Sequence, residues 1–358
     1  MGTRGDGTIV LEHTRTFLGS HPFLRSLLAR LASLVFLLWG LTLIAFTLTH
    51  LVPGNPVLAN LSLDQASNPA VVKAYTAKYG LDKSIPEQYF IYLTHLVHGD
   101  LGVSERTGRP VLVDLEEYVP ATAELAVTST VLSVIVGITL GTLAATRRRK
   151  PIDHVLRVLS LIGISTPAFW LGLVALYVFF FKLGWAPGTG RLDPGLTPPP
   201  HVTGFFTIDS LIAGEPDVYL NALSHLVLPA AVLAVHQIAL LTRFTRSVVL
   251  DVAQEEYMNT ARAKGLSQFS VFRHLLRGSL PPIVTIVGFM FADVLTGTVL
   301  IETIFDWPGV GRYAFQSATS LDLPAIMGVT LFVGTVFVVV NFVIDTLYGV
   351  IDPRLRAA

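Results

Sequence analysis

The sequence predicts an all-α, polytopic membrane protein with six transmembrane helices. Three observations lead there. Of 358 residues, 52% are hydrophobic and only 14% charged, where a soluble domain carries roughly 25% charged residues. Mean hydropathy is +0.61, more apolar surface than one soluble core of this length could hide. The apolar residues also fall in long continuous runs, without the ten-residue alternation of barrel strands.

A membrane helix needs about 20 mostly apolar residues. Runs free of Asp, Glu, Lys and Arg occur at Leu31–Thr49, Leu125–Thr146, Val158–Phe181, Asn221–Thr242 and Leu323–Ile344, and a sixth, Ser279–Ile301, is interrupted only by Asp293. These six define a membrane domain over residues 28–350, between a polar tail at 1–27 and a C-terminal tail at 351–358. The first run exceeds the roughly 7–15-residue apolar core of a signal peptide, and no A-x-A-like cleavage site follows it.

Lys and Arg orient the spans. With both termini inside, seventeen of the 25 basic residues fall on inner segments and eight on outer ones. The Arg147-Arg148-Arg149-Lys150 cluster anchors the end of the second span. Both termini are therefore expected in the cytoplasm. The outer segments are then 51–120, 184–220 and 302–322. The first has a helix-compatible stretch at Asp64–His98. The second is rich in Pro and Gly, and reads as loops with one short helix. Each reads either as a solvated connector or as a docking rim for an external partner.

The inner loop, 243–280, carries the most pattern. Residues 252–264 begin with acids and end with bases, which suits the helix dipole. Gly265 can adopt the left-handed stop, Ser267 can cap a second helix, and Pro281 and Pro282 suit the first turn of the next span. In the second helix Val271, Phe272, Leu275 and Leu276 share one face, with Arg273 and Arg277 on another. The expected unit is a helix–glycine–helix on the membrane surface. Small residues beside Gly265 (Thr260, Ala261, Ala263) would let another backbone approach closely. The loop reads either as an interfacial hairpin or as a handle gripped by a cytoplasmic partner.

No G-x-x-x-x-G-K-[ST] motif occurs, so no phosphate-cradling loop is expected on this chain. With no cysteines and no net charge, disulfides, thiolate metal sites and a nucleic-acid partner are not expected either. Asp293 stands midway along the fifth run, where an unpaired carboxylate costs at least ~2.5 kcal/mol. It reads as a residue of a translocation path, as a structural partner of His236 or of a polar side chain of another span, or as a group hydrated near the interface. His225 and His236 read as hydrogen-bonding groups of the bundle. Gly163, Pro167 and Gly172 would permit bending or close packing. Trp307-Pro308-Gly309-Val310-Gly311-Arg312 reads as a tight turn, with Trp307 anchored at the membrane interface or forming part of a docking rim.

Tyr257, Thr260, Ala261, Arg262, Ala263, Lys264 and Gly265 match a Y-x-x-T-A-R-A-K-G pattern. On these residues the chain resembles the permease subunits of ATP-binding-cassette importers, in particular the B-type subunit of dipeptide/oligopeptide permeases. The glutamate of the general E-A-A-x-x-x-G signature is replaced here by Asn259. Further similar fragments are Leu51-Val52-Pro53-Gly54-Asn55-Pro56, Tyr79-Gly80-Leu81-Asp82, Gly99-Asp100-Leu101-Gly102, Pro120-Ala121-Thr122-Ala123-Glu124-Leu125 and Ile351-Asp352-Pro353-Arg354.

The resemblance implies a type I importer fold with a cytoplasmic coupling helix, placed in a bacterial inner membrane. It implies four partners: a second homologous permease, two ATPase subunits and an external solute-binding protein. ATP and Mg would sit on the ATPases, with no cofactor or metal on this chain. The cargo would be di- or oligopeptides, or within the same permease type nickel, glutathione or a sugar-like solute. Two readings lie outside the resemblance. An ion-coupled secondary carrier would call for inverted repeats and several intramembrane carboxylates. A membrane-embedded enzyme would call for facing catalytic groups, and His225, His236 and Asp293 form no recognisable metal motif.

Overall fold

The computed structural model describes residues 22–51 and 67–351. Most of the tail at 1–27, the Val52–Pro56 stretch and the C-terminal tail lie outside the described residues.

Among the described residues there are thirteen α-helices and no sheet; one isolated bridge pairs Val103 with Pro110. α1 is Pro22–Leu51, the first apolar run. Two short helices follow, α2 (Pro69–Tyr79) and α3 (Ile85–Val97). Asn68 caps α2 by accepting from the Ala70 amide at 3.0 Å, and Gly80 closes it at φ +63°. Glu87 completes a capping box with Ser84 at the head of α3. Tyr89 ties α3 to α1, with its hydroxyl 2.9 Å from Thr42 Oγ1 and its ring edge-on to Phe46.

The bundle is built on α4 (Val111–Thr146) and α8 (Pro216–Val252), which pack along much of their length. The reason lies in a four-residue spacing on α4. Ser129, Ser133, Gly137, Gly141 and Ala145 are all buried on one stripe. A Cβ on Gly137 would stand 2.9 Å from Leu241 Cβ, and one on Gly141 would stand 2.6 Å from Thr245 Cβ. Small residues at this spacing let two membrane helices touch backbone to backbone. Ser133 adds a polar tie, donating to Gln237 Oε1 at 2.8 Å.

The third apolar run is not one straight helix. It forms α5 (Pro151–Ser165) and α6 (Ala168–Ala175), the latter continued by a π-helical turn over Leu176–Lys182; the two parts meet at 98°. Pro167 has no amide to give to the carbonyl one turn back, so the ladder stops at Thr166. α5 lies against α8, where Gly163 faces Ala239.

The inner loop holds α9 (Glu256–Ala263). The fifth span begins earlier than expected. α10 runs unbroken from Gln268 to Gly297, with Pro281 and Pro282 inside it. The second helix of the loop is thus the start of the span itself, a correction to the surface hairpin read from the sequence. The same run ends early: α11 (Val299–Ile304) is a separate helix after Thr298. α12 (Val310–Thr319) and α13 (Leu323–Ile351) complete the chain, with α13 packed between α1 and α10.

By length and composition four helices can cross a membrane: α4, α8, α10 and α13. The bent α5–α6 pair counts as a fifth if its two parts form one span, and the described apolar part of α1 is the shorter helix Leu31–Thr47.

Candidate coupling loop, translocation path and opposite cap

At the basic end of the bundle, α8 stops at Val252 and the chain turns into α9. α9 is held by one deep anchor. Met258 is fully buried against Ala145, Val249 and Leu275, from α4, α8 and α10. Ala261, one turn on, is also buried. It packs on its own chain and is not on the outward face of α9. The outward face is Asn259, Thr260, Arg262, Ala263 and Lys264, all exposed, with Tyr257 half-exposed on the flank.

Gly265 has φ +72°, the left-handed stop read from the sequence, and open space where a side chain would stand. Its amide donates to Arg262 O at 3.0 Å and that of Leu266 to Ala261 O at 3.3 Å, closing the helix. Ser267 accepts from the Ser270 amide at 3.3 Å and starts α10. Beside α9, Leu266 and Phe269 are exposed apolar side chains, Phe269 at 77%. The expected coupling residues other than Ala261 therefore lie together, exposed, on α9 and the turn that ends it.

Asp293 and His236 stand exposed on the surface of the single chain, on α10 and α8. His225 is buried and bonds outside the bundle core. Its Nδ1 lies 3.1 Å from Gly190 O and its Nε2 3.1 Å from Asp193 Oδ1.

His225 belongs to a cap that closes the opposite end of the bundle, and most of this cap escaped the sequence reading. The loop at 183–205 folds back over the spans. Gly190 N donates to Phe305 O at 2.8 Å, and Asn221 Nδ2 to Asp193 Oδ2 at 2.6 Å. The Asn221 amide and the His225 imidazole hold the Asp193 carboxyl below the usual carboxylate range. Deeper in, Arg191 pairs with Glu124 at 2.5 Å, both almost fully buried, and its guanidinium lies 3.5 Å over the Phe206 ring. Glu124 also accepts from Thr207 N and Oγ1, on α7 (Phe206–Ala213). Three donors thus offset the desolvation of the Glu124 carboxylate, while the buried Arg191 Nε has no hydrogen-bond partner among the described residues.

The Trp307–Arg312 turn is inside this cap. Trp307 is 1% exposed and its Nε1 donates to Ala121 O at 2.8 Å. It is neither an interface anchor nor a rim residue. The turn wraps Glu302, which accepts from Thr122 Oγ1 and Thr298 Oγ1, each at 2.7 Å, and from Arg312 N at 2.8 Å. Only glycine fits at 309, where a Cβ would overlap the Glu302 carboxylate, and at 311, where it would overlap the Val299 backbone. The sequence signal for the cluster was the pairing of two close glycines with a carboxylate at the very end of an uncharged run.

Residues 137–357 match the family described as the binding-protein-dependent transport system inner membrane component, and residues 23–126 match its N-terminal membrane component. The chain is 44% identical over 323 residues to the probable D,D-dipeptide transport system permease protein DdpB of Escherichia coli K12, covering 90% of this chain and 94% of that one. It is 38% identical over 339 residues to the dipeptide transport system permease protein DppB of the same strain, covering 93% and 99%. The chain belongs to this family of ABC-importer permeases. This permease is thus a multi-pass membrane protein, as its helices independently indicate. Its fold is shared with the methionine ABC transporter MetNI in its inward-facing conformations, at a TM-score of 0.50 and 14% identity, covering 66% of this chain and 96% of that chain. The permease's spans, bend and cap are therefore parts of a transport subunit.

Proposed function

We propose that this permease forms half of a translocation path for di- or oligopeptides and is driven by ATPase subunits that grip α9. The observation that carries the coupling reading is the construction of α9. Met258 locks it to three spans at once, while its outward face is short, small and basic. A push on such a helix is transmitted to α4, α8 and α10 as one body, which suits a bistable rocking between inward- and outward-open forms. The relatives' names support the peptide cargo.

In this reading both termini and α9 face the cytoplasm, following the basic residues. A second homologous permease pairs with this one, an external solute-binding protein delivers cargo at the cap, and ATP and Mg are held by the partner ATPases. Asp293 and His236 line the path. Asp293 is exposed on the single chain near the end of α10, a place from which a carboxylate can reach the path.

The experiment is uptake of labelled dipeptide by cells carrying Ala263→Trp or Gly265→Val. Both sites are open in this chain, so folding is spared apart from the left-handed backbone at 265. Loss of uptake with retained membrane insertion and lost ATPase co-purification supports the coupling role. Normal uptake in both removes it.

A further inference from the structure

We propose that a cavity at the basic end of the bundle binds the phosphate headgroup of an anionic membrane lipid, held by Arg157, Arg243 and the Thr242 hydroxyl. The cavity, of about 310 Å³, opens between α4, α5 and α8. That volume is at the small end of ligand sites, about 300–1,000 Å³. Arg157, Arg243 and Arg246 line it, together with Ser160, Thr242 and Leu161.

Its depth is set by the sequence. Arg157 immediately precedes the uncharged run Val158–Phe181, and Arg243 immediately follows Asn221–Thr242. The cavity therefore straddles the boundary between hydrocarbon and headgroups, the level of lipid phosphates.

The charges are not cancelled internally. Among the described residues, Asp153 is the one acid paired with any of these arginines, meeting Arg246 and Arg157. It is committed to Arg246 by two hydrogen bonds, Nε–Oδ1 at 2.6 Å and Nη2–Oδ2 at 3.0 Å, and lies 3.7 Å from Arg157 Nε. Arg243 has no ion-pair partner among the described residues. Two net positive charges are left to face the cavity.

A second observation also points to a ligand. Thr242 is 3% exposed, lines the cavity, and its Oγ1 has no hydrogen-bond partner. A buried hydroxyl left so is costly, and a phosphate oxygen would satisfy it. The choice of lipid over a free anion follows from what lies alongside. Val158 and Leu161, on the adjoining turns of α5, are 55% and 56% exposed, an apolar surface on which acyl chains can lie. The inference rests on the membrane placement of the basic end and is independent of the cargo and of α9.

The test is native mass spectrometry on the full chain with its co-purifying subunits, stripped of lipid and titrated with phosphatidylglycerol or phosphatidylethanolamine. The expected result is a retained phosphatidylglycerol adduct that phosphatidylethanolamine does not give. The Arg157→Gln/Arg243→Gln double variant, which leaves the Arg246–Asp153 pair intact, lowers the affinity for it about twenty-five-fold, at about fivefold for each basic residue. Arg157→Lys/Arg243→Lys restores most of it. Equal retention of both lipids, or unchanged occupancy in the Gln variant, overturns the proposal. So does displacement of the lipid by excess inorganic phosphate, which would make the occupant a free anion. An adduct gained only when the subunits are removed also overturns it, since a partner's acidic segment would then fill the cavity.

Discussion

Thr122 Oγ1 and Glu302 Oε1 are 2.7 Å apart across 180 residues of chain, and the same hydroxyl accepts from Val310 N at 2.8 Å. One threonine thus joins α4, α11 and the head of α12. Glu302 is fully buried and forms no ion pair among the described residues, so its carboxyl group depends on three hydrogen-bond donors. Thr122→Val removes one donor and orphans the Val310 amide. The expected loss is about 2 kcal/mol, read as a lower unfolding temperature in detergent. Gly309→Ala, which drives a methyl into the carboxylate, destabilises at least as much.

The second prediction concerns Asp153, which is 1% exposed. Arg246→Gln leaves its charge with one backbone donor, Arg149 N at 3.0 Å, and a distant Arg157. The single change costs about 3 kcal/mol. Asp153→Asn combined with Arg246→Gln costs less than the two separate losses added, a coupling that a double-mutant cycle in detergent measures directly.

A pH effect follows from Asp193. Its folded-state pKa lies below its unfolded value, held there by Asn221 and His225. The stabilisation is therefore complete above the unfolded value, about 3.9, and is lost as pH falls through the lower folded one. The 183–205 loop should become protease-sensitive on acidification below about pH 4. Asp193→Asn should remove most of that pH dependence. Sensitivity that does not change with pH would show that the loop is held by Arg191 instead.

Much of this architecture was legible in the sequence, for a definite reason. Uncharged runs mark membrane crossings because charge in hydrocarbon is costly, and α4, α8 and α13 lie where those runs fall. Gly265 and Ser267 were legible because a left-handed stop and a side-chain cap are local requirements. The same logic failed where tertiary packing decides. Pro281 and Pro282 look like a helix start, yet α10 continues through them. Pro167 looks like a mild bend and gives 98°. Ala261 looked like a contact for a partner and is buried on its own chain. The cap was hidden because Glu124 and Arg191 are 67 residues apart and meet only in the fold.

The bend itself gives a prediction. Leu161 and Phe181 are exposed, and the chain has no cysteine, so spin labels can be placed there singly. A straight helix between them would span about 30 Å, and the bent one is shorter. Pro167→Ala restores an amide to the ladder and should lengthen the distance toward that value. An unchanged distance would mean that packing against α8 imposes the bend.

The central claim, that α9 is a cytoplasmic handle for an ATPase, is tested most directly by Ala263→Cys. No other thiol is present in the chain. In intact cells the account predicts no labelling by a membrane-impermeant maleimide, and a specific cross-link from position 263 to an ATPase subunit. Labelling from outside, with no cross-link, would contradict it.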